Sequence, residues 1–177
     1  MYLISLYFDD ITNNKMQLLI NQVAKVTGNT FMLDNKIPPH ITLLAFETMD
    51  EQKAINIFEE NIRVFSEGKA FFVSVGAFKK QVIYVEPVLN EYLHNMSSET
   101  YKIFDTISDI KFSPYYKPFG WIPHLSIGKH LASTQLSAAF EILVKQFVPF
   151  EGRITKIGIA KTNPHRDLKV IEMRKKY

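Results

Sequence analysis

Pro39-His40-Ile41-Thr42-Leu43 and Pro123-His124-Leu125-Ser126-Ile127 are nearly the same segment. Each reads proline, histidine, apolar, hydroxyl, apolar. In a strand, successive side chains point to opposite faces, so the histidine and the hydroxyl share one face and the two apolar residues share the other. Ile41 and Leu43 then root one strand in a core, and Leu125 and Ile127 root the other. Proline often opens a strand. That habit accounts for Pro39 and Pro123, but not for the repeated pairing of histidine with hydroxyl.

The surroundings of the two segments also correspond. His124 lies 84 positions after His40, Thr134 lies 84 after Asp50, and Asn163 lies 84 after Lys79. Each half therefore reads as strand, helix, histidine strand, helix, strand. A period this long is not a solenoid repeat. It predicts one α+β domain over 1–177, bilobal, with duplicated halves of roughly 1–80 and 81–177. Antiparallel sheets flanked by helices are related by a pseudo-twofold, and the two histidine strands face each other across a central groove.

Local patterns fill in this outline. Tyr2–Phe8 is an apolar run suited to a buried strand. Asp10 or Thr12 caps a helix with Met16, Leu19, Val23 and Val26 inward, stopped by Gly28. Pro38-Pro39 forces an extended lead into a strand over 39–46. Thr48 or Asp50 opens a helix with Ile55, Phe58, Ile62 and Phe65 on one stripe, ended by Gly68. Strands follow at 71–78 and 82–86, with Lys79-Lys80 at the turn between them. A helix over about 89–110 carries Leu93, Met96, Ile103 and Ile107, with a weak middle at Ser97-Ser98. An aromatic, proline-rich loop over 113–123 leads into a strand over 123–129. Ser133 caps a helix with Leu136, Phe140, Leu143 and Phe147, and strands at 153–161 and 168–174 close the chain around Asn163.

Composition narrows the function classes. The chain has 177 residues, enough to bury roughly 70% of its unfolded surface without staples. There is no cysteine, so disulfides, thiolate catalysis and cysteine zinc sites are excluded. The N-terminus lacks a basic region and reaches Asp9 at once, unlike a signal peptide. No apolar run approaches the ~18 residues of a membrane span. The expectation is a cytoplasmic protein with no membrane association and no obligate protein partner. A net charge of +3 permits an anionic ligand but does not by itself argue for nucleic acid.

Histidine titrates near neutrality. Of two imidazoles flanking one pocket, one can take a proton from water and the other can give one to a leaving oxygen. The hydroxyls of Thr42 and Ser126 can donate to phosphoryl oxygens as charge builds there. Such a set suits an activated phosphodiester, a strained 2′,3′-cyclic ribose phosphate above all, and calls for no metal and no cofactor. The weaker alternatives are a catalytically idle module that binds RNA ends, and a histidine metal site, for which two histidines without clear carboxylate or cysteine partners are a poor ligand set.

These segments resemble the paired histidine–x–threonine/serine motifs of the two-histidine (2H) phosphoesterase superfamily, in its 2′-5′ RNA ligase-like or cyclic phosphodiesterase branch. The stretch from Gly120 to Gly128, with Trp121 before the motif, is similar to the family's second motif in its wider context. The resemblance implies a metal-independent phosphodiesterase opening 2′,3′-cyclic phosphates or acting on 2′-5′ linkages, with reversible 2′-5′ ligation in some members. His40 and His124 are then the catalytic pair, His40 as acid and His124 as base in hydrolysis, and Thr42 and Ser126 bind the phosphate. The substrate is an RNA end or a small nucleotide with a cyclic phosphate. Where many tRNA-ligase-like members place arginine after the second motif, this chain has Lys129 and His130.

Further candidates line the approach. Tyr115, Tyr116, Phe119 and Trp121 admit two readings: they stack on a base, as aromatics do in single-strand binding, or they seal the end of one lobe. Lys117 among them is by default a solvated loop lysine, with contact to a phosphate as the alternative, and His130, on the parity of His124, is a surface residue or reaches the groove's rim. His94 and His165 read as surface residues.

Overall fold

The structure, a computed structural model, describes residues 1–78, 81–162 and 164–175. The expected turn residues Lys79, Lys80 and Asn163 lie outside the described residues, as does Lys176, which in the sequence forms a short basic tail with Arg174 and Lys175.

The protein is α+β. Its strands are β1 (Tyr2–Phe8), β2 (Ile41–Glu47), β3 (Gly68–Phe78), β4 (Val82–Pro87), β5 (Lys111–Phe112), β6 (Leu125–Gly128), β7 (Phe150–Lys161) and β8 (Arg166–Glu172). Its helices are α1 (Asp10–Thr27), α2 (Phe31–Asp34), α3 (Glu51–Asn61), α4 (Glu91–Phe104) and α5 (Ser133–Gln146). The strands form one antiparallel sheet in the order β5-β2-β1-β7-β3-β4-β6, with β8 on β7. Exchanging β1 with β4, β2 with β6 and β3 with β7 turns the run β2-β1-β7-β3-β4-β6 into itself. The centre of that exchange falls in the β3/β7 pair, where Lys69 lies opposite Arg153.

The helices obey the same exchange. Helix α1 packs on β6 and α5, and α4 packs on β2 and α3. Each histidine strand is therefore backed by a helix from the other half of the chain. The core between sheet and helices includes Phe46, Phe58, Phe72 and Phe104, all fully buried. Truncating any one of them to alanine costs about 3–5 kcal/mol. Ile41, Leu43, Leu125 and Ile127 are also fully buried, as the alternation of the two motifs requires.

Several boundaries differ from the sequence reading, each for a local reason. Asp9, not Asp10 or Thr12, caps α1 by accepting from the Thr12 N–H at 2.9 Å. Gly28 ends that helix at φ +69°, a left-handed conformation that glycine adopts without a Cβ penalty. Val26 lies on the exposed side, and Ile20 takes the inward place. Helix α4 runs unbroken through Ser97, which is buried, and stops at Phe104. Residues Lys111–Phe112 leave it to pair with the end of β2. Helix α3 passes into a 3-10 turn at Ile62–Val64, and Gly68 opens β3 rather than closing the helix. Ala132 holds the N-cap position of α5, where Gln135 accepts from its N–H at 2.8 Å and donates to the Thr27 carbonyl at 3.0 Å. Phe140 lies on the outer face of α5, 41% exposed, and Ala139 points inward instead.

Candidate active site

Both histidines sit one residue ahead of the first residue of their strand, His40 before β2 and His124 before β6. Proline cannot donate to a ladder, so the chain is extended but unpaired there. The two rings are anchored alike. Nδ1 of His40 lies 2.7 Å from the Pro38 carbonyl oxygen, and Nδ1 of His124 lies 2.9 Å from that of Ile122. A carbonyl oxygen only accepts, so Nδ1 carries the proton in both rings. Each neutral imidazole keeps its lone pair on Nε2, and the two copies of the motif present the same tautomer.

The hydroxyl residues are matched by a second device. A register shift lies between Ile4 and Ser5, next to the Ser5–Thr42 pair, and another lies between Ile83 and Tyr84, next to the Tyr84–Ser126 pair. Such bulges re-aim side chains and recur beside active sites. His40, Thr42, His124 and Ser126 all line one cavity of about 400 Å³. The groove expected from the sequence therefore brings the four motif residues together.

A second, mostly apolar cavity of about 300 Å³ adjoins the first. Tyr115, Tyr116, His124, Ser126 and Lys129 line both. Phe78, Val82 and Ile122 complete the apolar side. Tyr84 supports this wall, stacked on Phe78 at 4.2 Å, with its ring over Gly76 where a Cβ would come within 2.4 Å. His124 meets Phe78 edge-on at 4.8 Å.

No carboxylate lines either cavity among the described residues. Lys129 forms no ion pair or hydrogen bond among them, and burial pulls its ammonium below the usual lysine range. Burial also pushes His40 down to about 3, helped by the Lys129 charge and opposed by the Pro38 contact. His124 is lowered by burial too, against the Ile122 contact and with a smaller push from Lys129. The site thus holds two neutral imidazoles beside an uncompensated cation. An entering anion supplies the missing negative charge and favours protonation of either ring. Burial raises the Tyr116 phenol, against a smaller pull from the Thr42 hydroxyl.

The remaining candidates divide. Tyr115 and Tyr116 line both cavities, and His130 lines the first, edge-on to Phe31 at 4.3 Å with φ +55°. Trp121 is buried and lines neither cavity; its Nε1 donates to the Thr42 carbonyl at 2.8 Å. Phe119 is 99% exposed and Lys117 is exposed, and neither lines a cavity. His94 lies on the surface as expected. His165 does not: its side chain is 8% exposed, lines the motif cavity and stacks on His40 with centroids 5.7 Å apart. The β7–β8 hairpin carries it there, and no local signal in the sequence marks it. Lys129 had a signal, a basic residue directly after the second motif. Among the described residues no group of three histidine or acidic side chains is arranged to hold a metal ion, and no helix is long and apolar enough to cross a membrane.

Two imidazoles and two hydroxyls thus share one cleft of the α+β sheet, a set able to move protons and to hold an anion. The sequence model of the 2′-5′ RNA ligase superfamily matches residues 17–166, and the chain belongs to that family. Membership supports a phosphoesterase-type enzyme. The fold is similar to that of TT0787 of Thermus thermophilus, at a TM-score of 0.66 and 14% identity over 100% of both chains. It is also similar to that of Escherichia coli LigT complexed with 3′-AMP, at a TM-score of 0.62 and 12% identity over 97% of both chains. Kluyveromyces marxianus Usb1 matches at 0.52 and 15% identity, over 94% of this chain and 96% of its own. A comparison with curated protein sequences returns no match.

Proposed function

We propose that this protein is a metal-independent phosphodiesterase that hydrolyses 2′,3′-cyclic phosphate or 2′-5′-linked RNA ends or nucleotides, with a reversible 2′-5′ RNA ligase activity in which a 5′-hydroxyl takes the place of water. The observation that carries this reading is the meeting of His40, Thr42, His124 and Ser126 in one cavity whose walls bear Lys129 and no carboxylate among the described residues. The structure of Escherichia coli LigT with 3′-AMP adds support for a nucleotide ligand. The adjoining cavity, walled by Phe78, Tyr115 and Tyr116, suits the flat apolar face of a base.

The chemistry needs no more than these groups. The phosphate sits between the Thr42 and Ser126 hydroxyls, and Lys129 balances its charge. One neutral imidazole accepts a proton through Nε2 from the attacking water. The new P–O bond forms as the bond to one ribose oxygen breaks, and the other ring, protonated under the influence of the bound anion, gives that oxygen its proton. One proton is taken and one given, so the pair ends with its roles exchanged. The hydroxyls and Lys129 stabilise the charge that grows on the non-bridging oxygens.

The test is a panel of 2′,3′-cyclic mononucleotides, cyclic-ended RNAs and 2′-5′ oligoadenylate, assayed in chelator, with the regiochemistry of each product identified. Turnover of a cyclic phosphate in chelator is the expected result. Saturable binding without turnover on any member would convert the protein into an RNA-end-binding module on the same fold.

A further inference from the structure

His165 belongs to neither motif, yet it lies inside their cavity. Its ring stacks on His40 at 5.7 Å between centroids and 29° between planes. Its Nε2 lies 3.3 Å from Oδ1 of Asp167, and the same oxygen accepts from the Tyr7 hydroxyl at 2.7 Å. The Tyr7 ring is itself a neighbour of His40, with centroids 6.3 Å apart. Asp167 thus ties together two rings that both pack near one catalytic candidate. His124 has no such neighbour among the described residues; it is surrounded by Phe78, Tyr84 and Tyr116. The two motifs are alike in backbone, tautomer and hydroxyl, and this cluster is where they differ.

We propose that His165 is a positioning residue for His40: tethered through Asp167, its imidazole packs against the face of the His40 ring and fixes the orientation in which His40 meets the phosphate. The proposal rests on the phosphodiesterase reading above. Stacking needs no hydrogen bond from His40, so both of that ring's nitrogens keep their work, Nδ1 on Pro38 and Nε2 for the substrate. Orientation within about half an ångström decides the rate of a proton transfer.

The contact also acts on charge. The groups facing His40 are His165 from the β7–β8 turn, Lys129 from beyond β6, His124 ahead of β6, Tyr7 of β1, and Asp167 behind His165. Lys129, His165 and His124 oppose a positive charge on His40, and burial opposes it most. A proton that His40 takes up beneath a bound phosphate is therefore weakly held and readily given away.

The variants H165A and H165F, with D167N alongside, separate positioning from simple packing. The measurements are kcat and KM on a cyclic phosphate, and the imidazole titrations of His40 and His124 by NMR. In H165A, kcat falls about tenfold while KM stays within about twofold. The His40 titration midpoint rises in H165A and in H165F, because a neighbouring charge is gone, and His124 stays put. H165F keeps the ring face and the volume, and recovers part of kcat. D167N loosens the tether and lowers kcat in the same direction as H165A. A folded H165A with wild-type kcat and an unmoved His40 titration overturns the proposal. The titrations need no turnover, so a wild-type protein inactive on the whole panel sinks the phosphodiesterase reading while still testing the His165–His40 contact.

Discussion

The indole Nε1 of Trp121 donates to the backbone carbonyl of Thr42 across 2.8 Å of buried interior. One hydrogen bond therefore fastens the loop that leads to the second motif onto the strand of the first. Trp121 is 8% exposed, so water does not replace the bond. Replacing Trp121 with phenylalanine keeps most of the apolar area but leaves the Thr42 carbonyl unpaired. The expected cost is about 1–3 kcal/mol of stability, read as a lower midpoint in urea. Because the ring lines neither cavity, affinity for a nucleotide base changes much less than it does in a Tyr115→Ala or Tyr116→Ala variant. Calorimetric titration with a nucleotide checks the contrast, and an equal loss of affinity in all three counts against it.

On the proposed mechanism, His40→Ala and His124→Ala each remove one partner of an acid–base pair. A general acid or base contributes about 10²–10⁴ in rate, so each variant loses at least a hundredfold in kcat. Neither unfolds the protein, since each histidine makes a single hydrogen bond to a backbone carbonyl. Circular dichroism and steady-state rates decide the matter. A variant that stays folded and turns over at the wild-type rate removes that histidine from the chemistry.

Much of this arrangement is legible in the sequence because it is carried by short local patterns. Alternation within Pro39–Leu43 and Pro123–Ile127 fixes which residues face the cavity and which face the core. The 84-residue offset between His40 and His124 points to two equivalent strands, and the strand order bears the same exchange. What the sequence hides depends on tertiary packing. His165 follows Pro164 in a polar turn and reads as surface, because nothing near it in sequence announces that β7 and β8 deliver it to His40. For Trp121 the sequence leaves open whether the ring stacks on a base or seals a lobe, and its hydrogen bond to a residue 79 positions away turns it inward. Helix α4 reads as weak in its middle at Ser97-Ser98, but burial against the sheet overrides the low propensity of serine.

The lowered affinity of His40 for protons makes stability depend on pH in a defined sense. In the unfolded chain the group titrates at 6.5, and in the folded protein at about 3. Between those values the unfolded state binds more protons, so stability falls as pH falls. The slope from this histidine is about 1.4 kcal/mol per pH unit. His124 adds to it in the same direction. Well above pH 6.5 both states are neutral at these rings and the dependence vanishes. A bound phosphate raises the proton affinity of both rings, so at about pH 6 binding is accompanied by proton uptake. Calorimetry in two buffers of different ionisation enthalpy measures that uptake; its absence would mean that the anion does not reach the histidines.

Lys129 sets stability and binding against each other. It lies between the two cavities with no counter-ion among the described residues, and burial alone pulls its ammonium below the usual range. A half-buried charge without a partner costs stability in the unliganded protein. Lys129→Met keeps the aliphatic stem and removes that charge, so the unliganded variant gains about 1 kcal/mol in stability. The same change weakens the binding of inorganic phosphate or a nucleotide by about tenfold or more, since a charge-assisted contact to the phosphate is lost. A residue retained only for packing would move both quantities the same way. Urea denaturation with and without phosphate measures the two together, and a destabilised Lys129→Met protein that binds phosphate as tightly as before would remove Lys129 from the anion site.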